Sequence, residues 1–229
     1  MTEQIFTFWD GKLPEYLKLC METWKFPYIL LTYDNVLDYA YIPIDKLQRF
    51  SLPQIADYIR VHILRDHGGY WLDTDTIMLG PDLPAAAILG NAAARTNTIG
   101  FLHTEQYSDI FTKWAAYQDS VLEQNLPADH WAIMGNAFTD EYLKDHNDIV
   151  IDDISNRWVE TYMIDAAISR WDKYQKFYFE SQYSLKDLRN TDMIMLHNSW
   201  TPAWYKQLSR SEILSNNCTM SNILKEAIK

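Results

Sequence analysis

The chain has 229 residues, 48% of them hydrophobic, and a formal net charge of -11. That length supports one substantial core, and the acidic balance works against nonspecific attraction to nucleic acid or to an anionic bilayer. Its two cysteines, Cys20 and Cys218, are far apart and lack a paired spacing, so neither a disulfide framework nor a zinc ribbon is indicated and buried or idle thiols are expected.

The opening MTEQIFTFWDGKLPEYL has no basic region followed by an apolar run and a small-residue cleavage site, and no later segment is apolar for long enough to span a bilayer. The expectation is a soluble, intracellular protein forming a single domain over residues 1–229. Residues 4–8 read as a short apolar strand ending at Trp9, with Asp10-Gly11 as the turn after it. From Pro14, Leu17, Met21 and Trp24 recur at helical spacing, and residues 28–33 form a second strand-like run.

Ser51 is placed as an N-cap, Pro53 sits where a first turn tolerates proline, and Ile55, Ile59 and Ile63 make an apolar stripe that stops at Gly68-Gly69. Residues 70–72 and 76–79 then read as extended, on either side of Asp73-Thr74-Asp75. Strands alternating with helices predict an α/β sheet covered by helices. Further on, residues 109–123 and 156–176 read as helices, Asp152-Asp153 as a helix start, and residues 193–196 as a late buried strand. The second half is expected to be the more helical.

Residues two apart in an extended segment point to one side, so Asp73 and Asp75 can turn both carboxylates to one point while Thr74 faces away. Such a pair suits a hard cation, Mn²⁺ or Mg²⁺, that completes its shell with water and substrate phosphates. An Asp-x-Asp triplet also arises by chance about half a time in a chain of this size. Its position after a glycine pair and an apolar strand puts it at a strand end, where open α/β sheets bind ligands.

Asp57 and Arg60 are three apart and project from one helix face, where they could hold sugar hydroxyls and phosphate together or form an ordinary solvated ion pair. Late in the chain LHNSW sets His197, Ser199 and Trp200 at another strand end. His197 could complete a metal shell or be a satisfied structural group, and Ser199 and the Trp200 indole could donate to a phosphate. Asn136, in IMGNAF, has no motif that assigns it a role. No G-x-G-x-x-G, Walker loop, G-x-S-x-G or H-E-x-x-H is present. Aromatic residues, at 14%, suit stacking on sugars or bases as well as a core.

Taken together, FWDGKLP at residues 8–14, ADYIRVHILRDHGG, YWLDTDTIMLG and the late LHNSW resemble the DXD-containing sugar-transferase family, the family 32 glycosyltransferases of capsular polysaccharide synthesis type. Yeast-type initiating mannosyltransferases and, more distantly, the large glucosylating toxins are its relatives. The resemblance implies a GT-A fold, a Rossmann-like central sheet flanked by helices. It implies a retaining hexosyl transfer from a nucleotide-diphosphate sugar, expected to be a UDP-sugar, with Mn²⁺ or Mg²⁺ on Asp73 and Asp75.

By the same resemblance Asp57 holds donor sugar hydroxyls, Arg60 positions sugar or phosphate, Trp9 stacks on the base and Trp71 lies beside sugar and nucleotide. His197 corresponds to a metal ligand, and Ser199 and Trp200 to diphosphate contacts, although here only Asn198 separates the histidine from the serine-tryptophan pair. The implied acceptor is a glycan, a lipid-linked glycan or a glycoprotein in capsule or exopolysaccharide assembly. The implied location is the cytoplasm, with peripheral attachment at the inner membrane surface left open. A noncatalytic carbohydrate-binding protein with a structural cation, and a hydrolase with paired carboxylates, are the competing readings.

Overall fold

The computed structural model describes residues 4–83, 88–91, 96–146, 151–153, 158–160, 170–188 and 192–229. In chain order the elements are β1 (Ile5–Phe8), α1 (Glu15–Glu22), β2 (Tyr28–Leu31), α2 (Ile44–Leu47), α3 (Leu52–His67), β3 (Gly69–Leu72), β4 (Thr76–Met78), β5 (Ile88–Asn91) and β6 (Thr96–Thr104). They continue with α4 (Asp109–Glu123), α5 (Asn136–Asp145), β7 (Ile151–Asp153), β8 (Trp158–Glu160), α6 (Arg170–Phe179), β9 (Met193–Met195), α7 (Ala203–Lys206), α8 (Arg210–Ser215) and α9 (Thr219–Ala227). The chain divides into two compact units.

The first unit comprises Met1–Asp10, Pro27–Asp73 and Pro84–Asp152. Its sheet has the order β2-β1-β3-β6-β5-β7. β1 is parallel to both β2 and β3, with Phe6 level with Ile29 on one side and Trp71 on the other. β6 then runs antiparallel to β3 and to β5. The sheet is thus mixed, as an α/β fold with an antiparallel extension is.

The strand order reverses at β1, because β2 lies on one side of it and β3 on the other. In open sheets of this type the crevice beyond the carboxyl ends of the strands at the reversal is the favoured binding place. The carboxyl ends at that point are Phe8-Trp9 and Leu72-Asp73.

Helix α3 explains itself locally. The Ser51 N–H donates to Gln54 Oε1 at 2.9 Å, one half of a capping box, while Gln54 Nε2 donates to the carbonyls of Ala128 and His130. The helix packs against α4, β1 and β3. Nearly every residue from Gln54 to Leu64 is buried, so α3 has no solvated face along its middle.

Gly68 ends α3 and Gly69 starts β3, both with positive φ, 67° and 87°. A side chain at Gly69 would place its Cβ 2.4 Å from the Gln4 carbonyl oxygen. The pair therefore stops the helix and also lets β3 close against the segment leading into β1.

The second unit comprises Gly11–Phe26, Thr74–Leu83 and Asp153–Lys229. Its sheet is β4-β9-β8, antiparallel between β4 and β9 and parallel between β8 and β9. α1 ends two residues before Trp24, whose indole donates to the Thr76 carbonyl at 2.8 Å.

Two expectations need correction. Residues 158–160 form strand β8, and the helix expected over 156–176 is observed as α6, Arg170–Phe179; residues 161–169 lie outside the described residues. Asp152 and Asp153 belong to strand β7 and do not start a helix. Charged side chains at strand positions weaken the alternation signal, which is why the segment reads as helical in sequence. Cys20 and Cys218 are both free and buried, as expected. Among the described residues no helix is long and apolar enough to cross a membrane.

Candidate active site

In the first unit, Arg60 gathers three of the residues singled out in sequence. Its Nη2 lies 3.1 Å from Asp57 Oδ1 and 3.1 Å from Asp73 Oδ1, and its Nη1 donates to the Ile99 carbonyl. The guanidinium also stands over the Trp71 ring, 5.2 Å from its centroid. Trp71 Nε1 donates to Asp73 Oδ1 at 2.9 Å, so two donors orient one oxygen of that carboxylate.

The Asp57–Arg60 spacing does form an ion pair, but a buried one. The side chain of Arg60 is 6% exposed and that of Asp57 12%, against 39% for Asp73. Burial pushes the Asp57 carboxyl up to about 6; Arg60 opposes that shift and Asp73 adds to it. Asp73 is the member of the cluster that faces solvent, held from behind by Arg60 and Trp71.

Two contributors could not be found from motifs. A Cβ at Gly135 would lie 2.7 Å from Asp57 Oδ2, so this glycine makes room for the carboxylate. Gln118 Nε2 donates to the Asp57 backbone carbonyl at 3.0 Å, fixing α3 to α4 at that turn. Asn136, the first residue of α5, follows Gly135 directly.

Trp9 follows β1 and extends the sheet ladder by donating its backbone N–H to the Leu31 carbonyl at 3.0 Å. Its indole nitrogen is buried and makes no hydrogen bond among the described residues. Trp71, at 1% exposure, is a core residue whose polar edge reaches Asp73.

In the second unit, Asp75 precedes β4 and is buried. Its Oδ2 accepts the Asn198 backbone N–H at 2.7 Å, and its own carbonyl accepts the Leu196 N–H at 3.2 Å. The Tyr16 hydroxyl in turn donates to Asn198 Oδ1. Burial first, and the Asp75 charge second, raise the Tyr16 phenol and the Cys20 thiol well above their usual ranges. Burial lowers Lys206, with Asp75 opposing.

The late motif forms a short 3₁₀ turn, Asn198–Trp200, led in by His197. The His197 ring lies 4.3 Å from that of Trp200, and Tyr174 packs edge-on to Trp200 at 5.8 Å. Gln175 donates to the Trp200 carbonyl, and Ser199 is exposed. Asn198, the residue that separates histidine from serine here, is thus the one that meets Asp75. Among the described residues no group of three or more His, Cys, Asp or Glu side chains is assembled to hold a metal ion.

Among solved structures the chain is similar to the PaToxG glycosyltransferase, at 14% identity over 64% of this chain and 70% of that one, with a TM-score of 0.46. It is also similar to the apo-form glycosyltransferase GlyE of Streptococcus pneumoniae TIGR4, at 13% identity over 93% of this chain and 62% of that one, with a TM-score of 0.44. No curated protein matches it. A family model described as capsular polysaccharide synthesis protein matches residues 1–226, and the chain belongs to that family.

Proposed function

We propose that this glycosyltransferase of capsular polysaccharide synthesis moves a hexosyl group from a UDP-sugar to a glycan hydroxyl, with retention of anomeric configuration. The reading rests above all on the buried Arg60 that holds Asp57 and Asp73 at the carboxyl end of β3. A GT-A-type sheet accounts for that location, since its strand ends at the order reversal are where a nucleotide sugar is bound.

Mn²⁺ or Mg²⁺ fits the donor chemistry of Asp73, a half-exposed carboxylate with one oxygen fixed by Arg60 and Trp71. Asp73 and Asp75 would hold it, with His197 as the further ligand that the family resemblance assigns. When bound, the ion supplies positive charge against the departing diphosphate.

The protein's own groups have separate tasks. Asp57 accepts hydrogen bonds from donor sugar hydroxyls, and Trp9 offers its ring to the base. Arg60, with its guanidinium taken up by carboxylates and a carbonyl, works as a positioning residue and as a buried positive field. Trp71 fixes Asp73 from the core side, while Ser199 and Trp200 are assigned to the diphosphate by the order of the late motif.

In the transfer, the bond from the anomeric carbon to the diphosphate oxygen breaks and the acceptor oxygen bonds on the same face. The acceptor's proton passes to the diphosphate, so no carboxylate nucleophile is required. A glycosyl adduct trapped on an Asp or Glu side chain would replace this route with a covalent one. The acceptor is a glycan, lipid-linked glycan or glycoprotein, reached in the cytoplasm or at the inner membrane surface.

The test is a screen of UDP- and GDP-sugars for nucleotide release with and without Mn²⁺ or Mg²⁺, using Asp73→Asn and Asp75→Asn as controls. Metal-dependent release that both variants abolish is expected. Unchanged turnover in both variants would remove the metal assignment, and glycan affinity without release from any donor would favour a binding protein.

A further inference from the structure

On the far side of α3 from Arg60, within the first unit, Tyr58 and His62 line a cavity of about 260 Å³ together with Tyr41, Pro43 and the α4 residues Asp119, Leu122 and Glu123. The transfer chemistry uses none of these residues. Tyr58 and His62 occupy one face of the helix, four apart, and their rings stack with centroids 4.0 Å apart. Tyr41, also in the lining, is 83% exposed.

The polar groups form a mixed set. Tyr58 donates to Asp119 Oδ1 at 2.6 Å, and His62 Nε2 stands 3.5 Å from the same oxygen. That nitrogen is buried and has no hydrogen-bond partner, on a side chain 3% exposed. Lys46 and Arg65 stand on the lining, Arg65 already paired with Asp66 at 2.7 Å, and Asp119 and Glu123 add two negative charges. Burial holds the imidazole down at about 4, so at neutral pH it is uncharged, with one nitrogen to donate and one to accept.

Each feature narrows the ligand. With Arg65 taken up by Asp66, the lining has no surplus of positive charge to attract a phosphate or other anion. Exposed and buried aromatic rings beside paired donors and acceptors suit a pyranose, which has an apolar face and a rim of hydroxyls. The volume lies just under the ~300–1,000 Å³ of sites for drug-sized ligands, the scale of one sugar ring and not of a nucleotide sugar.

We infer that this cavity is a second, noncatalytic saccharide site that takes one neutral pyranoside unit of a glycan. The inference stands on the cavity alone and does not depend on the transfer reaction. A site of this kind would keep a glycan chain tethered to the protein between encounters with the donor.

The test uses the intact protein without nucleotide, titrated with methyl glucosides, galactosides and mannosides and with N-acetylglucosamine, while the His62 imidazole signals are followed by NMR. At least one probe should shift those signals saturably, and Tyr41→Ala and Glu123→Gln, both at exposed positions, should each weaken that response by about tenfold. Asp73→Asn should leave it unchanged, which separates this site from the proposed donor site. No shift with any probe would overturn the inference, as would equal binding by both cavity variants or displacement of the sugar by inorganic phosphate.

Discussion

Arg60 of helix α3 and Asp73 at the end of strand β3 stand 3.1 Å apart, nitrogen to oxygen, with the guanidinium buried and the carboxylate half-exposed. A fixed positive group behind an acid that faces solvent holds one carboxylate oxygen in place and leaves the other aimed outward. The pair is the centre from which the properties of the proposed donor site follow.

Replacing Asp73 by Asn should leave the fold in place, because Arg60 keeps Asp57 and the Ile99 carbonyl as partners. Nucleotide release from the donor should fall by about 10²–10³-fold, the usual cost of losing one group that stabilises developing charge. Unchanged circular dichroism alongside steady-state release rates would check both halves of this expectation.

Arg60→Met removes the cation that pairs with buried Asp57 at 3.1 Å. Leaving that charge uncompensated should cost about 3–5 kcal/mol in urea unfolding. Adding Asp57→Asn should recover part of the loss, since the double variant no longer buries a lone carboxylate. If the two changes were simply additive, the carboxylate and guanidinium would not be coupled as described.

Stability against pH should carry two opposing slopes. Asp57 rises from 3.8 to about 6 on folding, so between those values the folded chain holds the extra proton and stability falls as pH rises. His62 falls from 6.5 to about 4, so over that window the unfolded chain holds the extra proton and stability rises with pH. The two nearly offset one another in the wild type. Asp57→Asn should expose the rising slope and His62→Gln the falling one, each amounting to about 2–3 kcal/mol across the window in chemical denaturation.

Glycine at 69 is required by geometry. An alanine there would sit at φ 87° with its Cβ 2.4 Å from the Gln4 carbonyl oxygen, a backbone atom that cannot swing aside. Gly69→Ala should cost about 2–4 kcal/mol. Gly11→Ala, at φ 78° with nothing within 4 Å, should cost only the left-handed backbone penalty of about 1–2 kcal/mol. Thermal or urea unfolding of the two variants side by side would decide it.

Much of the fold was legible because its signals are local. Ser51, Pro53 and the glycine pair mark both ends of α3, and residues 109–123 match α4 over its whole length. Capping, proline tolerance and positive φ act within one turn of chain, and a sequence displays them directly. The failures came where strands carry charge, at Asp152-Asp153 and at residues 158–160.

For the site, the sequence by itself determined which groups are the candidates: an Asp-x-Asp after two glycines, and an Asp and an Arg on one helix face. Only the tertiary structure decided that the helix pair is buried and not solvated, that Arg60 reaches from Asp57 to Asp73, and that Trp71 serves the carboxylate from inside the core. Gly135 and the Ile99 carbonyl entered with it, from distant segments that carry no motif. Spacing along a chain fixes which side chains share a face, whereas burial and charge pairing depend on which other face closes over them, and that is set by packing among elements far apart in sequence.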